Sequence, residues 1–404
     1  MKTIKAFAVS LLLCALTIVG LHLYSGRGFS AEGKAGTWVS DAKSQSGSTL
    51  KKMAAEVRRP ADEKALLIFG SSELRHGQGS GFQGDTIFDG ADMNPVYVGK
   101  AGYQSLTHAI TLGAVGSQAA NKKAVLIVSP QWFKENGVKS TAFEAAFSEE
   151  EYIALLENPD ISQETKDYIN GRLQNIMADN ETMSERVKKD REWYQPKDDN
   201  TAEQPGWLEQ KKADFHKVLL EEKNNYKVMA EALMDGISNH RSKESGAKLS
   251  QATWEQLRKE AETEGHKLSD GNDYGMFDSV YKGTYQTLIA NGKHKNPKYT
   301  LDSMEFSDLE CFLSICREEG IEPLVVILPF NGYWYDYTEL TAEERSVFYE
   351  KIRCIAEDYG VQCADLSGNE YTEYYFEDNS HPALKGLVDL NEAIYEFYRK
   401  DKTE

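Results

Sequence analysis

The sequence predicts an α/β domain whose parallel sheet carries helices on both faces, interrupted by an all-helical insertion and preceded by an N-terminal transmembrane helix. Three observations carry this reading. Short continuous apolar runs stand at 65–69, 96–99, 124–128, 323–328 and 361–366, as expected of strands buried on both faces. Helical patterns with readable ends alternate with these runs, which gives a parallel sheet with helices on either side. A charged stretch of helix-favouring residues, without strand runs, separates the third strand from the fourth.

Taken in order, the chain opens with Lys2 and Lys5 before an apolar run from Ala6 to Tyr24, broken only by Ser10, Thr17, Gly20 and His22. A run of about 20 residues, at ~1.5 Å per residue, is just long enough to cross a bilayer. No small-residue cleavage pattern follows it, so residues 1–26 read as an uncleaved anchor rather than a signal peptide. Basic residues ahead of the run place the N-terminus in the cytoplasm and the rest outside, a single-pass protein of the cell membrane. Residues 27–60, rich in Gly, Ser, Ala and Lys, read as a tether. Residues 61–404 then form the exported α/β domain, interrupted over 147–300 by the mainly helical insertion.

Helix ends are legible within that domain. Ser307-x-x-Glu310 has the form of a capping box, followed by Leu309, Phe312, Leu313 and Cys316 on one face and a stop at Gly320. Thr341-x-x-Glu344 is a second box, with Phe348, Ile352 and Ile355 facing inward and Gly360 as the stop. A closing helix runs over 383–398, and Gly206–Asp235 is a long helix-favouring stretch inside the insertion. Cys311, Cys316, Cys354 and Cys363 match no metal or redox spacing; disulfides outside the cell are one reading and buried thiols in packed helices and a strand the preferred one. No metal and no cofactor is expected. The net charge of −18, with acids and bases interspersed, argues against nucleic acid as a partner, because phosphate neutralisation needs a basic face.

Chemistry gathers at the strand ends, where ligands of open α/β sheets bind. The first run ends in Gly70-Ser71-Ser72-Glu73, and Asp378-Asn379-Ser380-His381 stands near the C-terminus. A serine past a buried strand needs a base, and the base needs an acid to fix its tautomer. Ser72, His381 and Asp378 supply these roles, with Ser71 as a rival nucleophile; a plain turn and a helix cap are the competing readings of the two segments. Candidate donors for a developing oxyanion are Gly102, after the second run, and the amide of Gln131, after the third. Trp132, Phe133, Tyr333, Trp334 and Tyr335 offer either a dry rim or ordinary packing. Glu73 reads as a helix-start carboxylate or, on the family resemblance given below, as an attractor of a substrate ammonium.

These blocks resemble the GDSL/SGNH hydrolase superfamily, which implies an SGNH-hydrolase-like (flavodoxin-like) fold. In that resemblance Ser71 replaces the usual Asp and Gln131 the usual Asn. The longer motifs, from Gly70-Ser71-Ser72-Glu73-Leu74 through Gly102-x-Gln104-Ser105-Leu106, Ser129-Pro130-Gln131-Trp132-Phe133 and Pro329–Tyr337 to Asp378-x-Ser380-His381-Pro382, resemble the DltD family over nearly the whole chain. In that family Val more often stands at the position of Phe330. The resemblance places Asn331 and Trp334 among the substrate-binding residues. It implies D-alanyl transfer to lipoteichoic acid in a Gram-positive envelope, with a membrane-bound O-acyltransferase and a D-alanyl carrier protein or small membrane peptide as partners. An esterase that releases acyl groups to water and a non-enzymatic assembly factor are the competing functions.

Overall fold

Five runs become five strands; four are buried along nearly their whole length, whereas the last, over 362–365, has Gln362 and Asp365 exposed and Cys363 and Ala364 half-buried, so the expected cover on both faces fails at that edge. The computed structural model describes residues 64–74, 81–135, 137–195, 206–238, 248–292 and 296–400, together with Gly20 and Thr37–Trp38. Its strands are β1 (Thr37–Trp38), β2 (Ala65–Phe69), β3 (Asn94–Val98), β4 (Lys123–Val128), β5 (Glu322–Ile327) and β6 (Gln362–Asp365). They pair in the order β1-β3-β2-β4-β5-β6, every pair parallel. The expected strands recur within two residues at each end. The two-residue edge strand β1 is an addition, falling in the stretch read as a tether; only its pairing with Val96 and Tyr97 reveals it.

The helices are α1 (Ser105–Val115), α2 (Ser140–Ala146), α3 (Glu149–Glu157), α4 (Gln163–Ile176), α5 (Glu181–Tyr194), α6 (Trp207–Ser238), α7 (Trp254–Ser269), α8 (Glu305–Glu318), α9 (Gly332–Tyr337), α10 (Ala342–Asp358) and α11 (Leu384–Arg399), with shorter turns between them. One face of the sheet, through Leu66, Ile68, Tyr97, Val125, Ile127, Leu324 and Val326, packs with Leu387, Val388 and Ile394 of α11 and Leu257 and Ala261 of α7. On the other face, Phe69 meets Phe312 of α8 and His108 of α1 edge-on. Helix α6 belongs to a separate compact unit from the one that carries the sheet.

Thr341 and Glu344 form the expected reciprocal cap of α10. Ser307 does not cap: α8 begins at Glu305, so Ser307 lies inside its first turn. Ser303 accepts the Glu305 N–H at 3.4 Å, so a serine four residues earlier stands at the start, and buried Glu305 accepts the Ser105 N–H at 2.9 Å. Gly320 and Gly360 stop their helices with φ of +64° and +66°, the left-handed turn that glycine tolerates. All four described cysteines are free. Cys311 and Cys316 are buried, but Cys363 is only half-buried and Cys354 is exposed on α10, a correction to the buried-thiol reading. The anchor at Ala6–Tyr24 lies outside the described residues, apart from Gly20; among the described residues no helix is long and apolar enough to cross a membrane.

One glycine pair fixes the approach to the site. Gly99, with φ of +140°, leaves no room for a side chain, since a Cβ would lie 1.7 Å from the Gly70 carbonyl oxygen. Gly70 in turn donates its N–H to the Val98 carbonyl at 3.0 Å. Gly99→Ala is therefore expected to destabilise the fold by about 2–5 kcal/mol, combining overpacking and backbone strain. A chemical-denaturation midpoint indistinguishable from that of the parent would refute this close approach.

Candidate active site

Ser72 sits on a single turn of 3₁₀ helix (Ser72–Leu74) directly beyond β2. Gly70 lets this turn fold tightly, because a Cβ there would lie 2.6 Å from Glu73 Oε1. The buried Glu73 carboxylate accepts the Ser71 N–H at 2.5 Å, the arrangement of a helix-start carboxylate. This sets the directions of the two adjacent hydroxyls. Ser71 Oγ donates to the Lys100 carbonyl at 3.3 Å, whereas Ser72 Oγ lies 2.6 Å from His381 Nε2.

The base arrives on the loop between β6 and α11. Asp378 Oδ1 accepts the backbone N–H groups of Ser380 and His381, each at 2.8 Å. Its Oδ2 lies 2.6 Å from His381 Nδ1. The Glu377 N–H to His381 carbonyl bond at 2.9 Å closes the loop. Spacing three thus puts acid and base in one self-bonded turn. Burial alone would raise the Asp378 pKa, but the bond and charge of His381 and the two N–H donors hold it below the usual carboxylate range. Burial likewise pulls His381 down, yet the bond to Asp378 and its charge, with Glu73 and Glu377 behind them, leave the imidazole above its ordinary value. Ser72 is half-buried and so reachable.

The remaining expected residues divide. Gln131, on the turn Pro130–Trp132 beyond β4, is brought beside the loop, its Oε1 accepting from Ser380 Oγ at 3.2 Å. Gly102 lies in the turn before α1 with φ of +91°. Asn331 works from behind the site. Fully buried, it caps α9 by accepting the Trp334 N–H and donates to the carbonyls of Tyr274 (2.9 Å) and Asp378 (3.1 Å). Trp334 packs at 4.5 Å, nearly perpendicular, on Tyr285. Trp132, Phe133, Trp334 and Tyr335 are interior residues and Tyr333 alone of the five is exposed, so the dry-rim reading gives way to packing.

A strong match settles the relationship. Residues 42–399 match the family model described as DltD protein. The chain belongs to the DltD family. It is 32% identical over 349 residues to Protein DltD of Bacillus subtilis (strain 168), covering 84% of each chain. To the Staphylococcus aureus (strain NCTC 8325 / PS 47) protein of that name it is 26% identical over 81% of this chain and 79% of the relative. To that of Lacticaseibacillus rhamnosus it is 24% identical over 77% and 72%.

Sequence reasoning missed three features of this DltD-family site. Tyr285 Oη donates to Asn379 Oδ1 at 2.8 Å, and Asn379 Nδ2 donates to Tyr335 Oη at 3.2 Å. Asn379 looked like turn chemistry, and Tyr285 belongs to a π-helical turn (Tyr281–Tyr285) within the insertion, a form often found at functional sites. His108 is the third. It is fully buried behind Gly99 and between Phe69, Tyr103 and Trp132. Burial pushes its pKa down to about 3, against a smaller contribution from Gly70, so this second histidine stays neutral. No local signal marks either contact, because the partners are distant in sequence.

Proposed function

We propose that this chain transfers D-alanine to lipoteichoic acid on the outer side of the membrane, through a seryl ester on Ser72. The observation that carries the reading is the Ser72–His381–Asp378 relay, 2.6 Å at each link, at the strand ends of a DltD-family chain. On this reading the domain is an SGNH-type hydrolase fold used for transfer. His381 Nε2 takes the Ser72 proton as Oγ attacks the alanyl carbonyl, then returns it to the leaving group. In the second half it takes a proton from a polymer hydroxyl, whose oxygen attacks the seryl ester and regenerates Ser72. The oxyanion is met by the Ser72 N–H, the Gly102 turn and the Gln131 amide, held by Ser380. Exchange of one oxygen ester for another is nearly balanced, so excluding water decides the outcome.

The anchor Ala6–Tyr24 would hold the domain at the outer face. The alanyl group would come from a membrane-bound O-acyltransferase through the carrier protein or a small membrane peptide. Mass spectrometry of the chain from D-alanylating membranes should find an alanyl ester on Ser72, accumulating when polymer acceptor is withheld. Free D-alanine released at the same rate with or without polymer would favour the esterase instead.

The raised His381 pKa has a sign that can be tested. The base works only when neutral, so acylation of Ser72 falls as pH is lowered, with its acid limb above 6.5, the ordinary value for histidine. Glu73→Gln removes one of the negative charges that raise it, and the limb should move down. A limb at or below 6.5 in the parent chain would contradict this electrostatic account.

Tyr285→Phe tests the support from the insertion. It keeps the ring against Trp334 but removes the bond to Asn379, and a net hydrogen bond of about 0.5–1.5 kcal/mol predicts a 2- to 10-fold loss in acylation rate. The thermal midpoint should stay close to that of the parent. Equal rates would show that the π-turn plays no part in setting the loop.

A further inference from the structure

Helix α6 presents exposed large apolar side chains along one face. Trp207 is 75% and Phe215 64% exposed, and Leu208, Val218 and Leu219 are each more than half exposed. At ~100° per residue these five positions fall within an arc of about 120°. Such a concentration of large apolar side chains on one soluble helix marks an interaction surface.

We propose that this face lies in a lipid interface, with α6 parallel to the bilayer and Trp207, Phe215, Val218 and Leu219 at the boundary between headgroups and acyl chains. Three features select lipid over a second helix. The arc is wider than the narrow seam of a coiled coil. Lys211 stands within it with its side chain 59% exposed; a dry helix–helix seam would bury this charge, whereas at an interface a long side chain carries its head to water. Aromatic residues and flanking lysines are the composition of interfacial helices.

Charge agrees. Over 207–223, Lys211, Lys212, Lys217 and Lys223 balance Glu209, Asp214, Glu221 and Glu222, in a chain of net charge −18. An anionic leaflet repels the rest of such a chain but not this segment. The inference rests on the membrane location proposed above, and it makes α6 a second contact with the bilayer besides the anchor.

The test uses the full chain in its own membranes, with a photoreactive benzoylphenylalanine at one position at a time. Phe215 and Leu219 should give lipid adducts, and Lys217 and Glu221, outside the arc, none. Leu12, in the apolar run, reports the anchor independently. Lipid adducts at Leu12 with only protein adducts at Phe215 and Leu219, whether to a second copy or to another protein, would overturn the lipid assignment. Lipid adducts at Leu12 with no adduct on α6 would overturn it equally. An absence of lipid adducts at Leu12 as well would instead sink the membrane location itself.

Discussion

A Ser72→Ala chain, expressed at normal level in a strain lacking its own copy, is expected to leave lipoteichoic acid without D-alanyl esters. The substitution deletes the atom that would form the bond while leaving His381 and Asp378 paired. Loss of a triad nucleophile or base typically costs at least ~10⁴-fold in rate. His381→Ala should match it, since an unactivated serine hydroxyl is a poor nucleophile. Ser71→Ala is the informative contrast. It removes only a 3.3 Å bond to the Lys100 carbonyl, leaves the backbone N–H to Glu73 in place, and should keep activity within a few-fold. Esters restored by Ser72→Ala at the parent level would sink the nucleophile assignment and favour the assembly-factor reading.

The second large effect is on stability. Arg345, in the first turn of α10, is fully buried. It donates from Nε and Nη2 to both Glu370 oxygens at 2.8 and 2.7 Å, and from Nη1 to Asp336 and the Leu340 carbonyl. Glu370 also accepts from Tyr349 at 2.6 Å, and the Tyr349 hydroxyl accepts the Phe330 N–H at 2.8 Å. The Gly332 N–H reaches the Glu370 carbonyl at 2.8 Å. This network therefore holds both ends of Asn331, the residue that ties the Asp378 loop. Arg345→Met strands a buried carboxylate and is expected to cost about 3–5 kcal/mol. Adding Glu370→Gln should recover part of that loss by removing the unpaired charge. Denaturation midpoints of the single and double variants check both steps, and a neutral single variant would show that the network contributes little.

The strands were legible because their signal is local. Uninterrupted apolar runs such as 65–69 and 124–128 say that both faces are covered whatever covers them, and the Thr341 cap and the Gly320 and Gly360 stops depend on a few neighbouring residues. The Ser307 box failed because Ser303, four residues earlier, accepts the Glu305 N–H and the helix starts there instead. Aromatic residues after a strand end look the same whether they line a cleft or fill the interior. Trp132 and Trp334 proved interior only once α1 and the 274–285 segment were seen against them. Asn331 carried a motif but not its whole meaning, because only the Trp334 cap is local and its other two partners, Tyr274 and Asp378, come from separate segments.

By itself the sequence determined a parallel α/β sheet, the segments that meet at its strand ends, the Asp378–His381 turn and the family. Only the tertiary structure decided which of two adjacent serines addresses the histidine, and that a helical insertion reaches the loop beside Asp378. The physical reason is the range of the interactions. Propensity, capping and a three-residue turn act over a few positions and leave their mark in the order of residues. The orientation of a hydroxyl and the pairing of Tyr285 with Asn379 depend on how distant segments close on one another, and that closure is fixed by the packing of the whole domain.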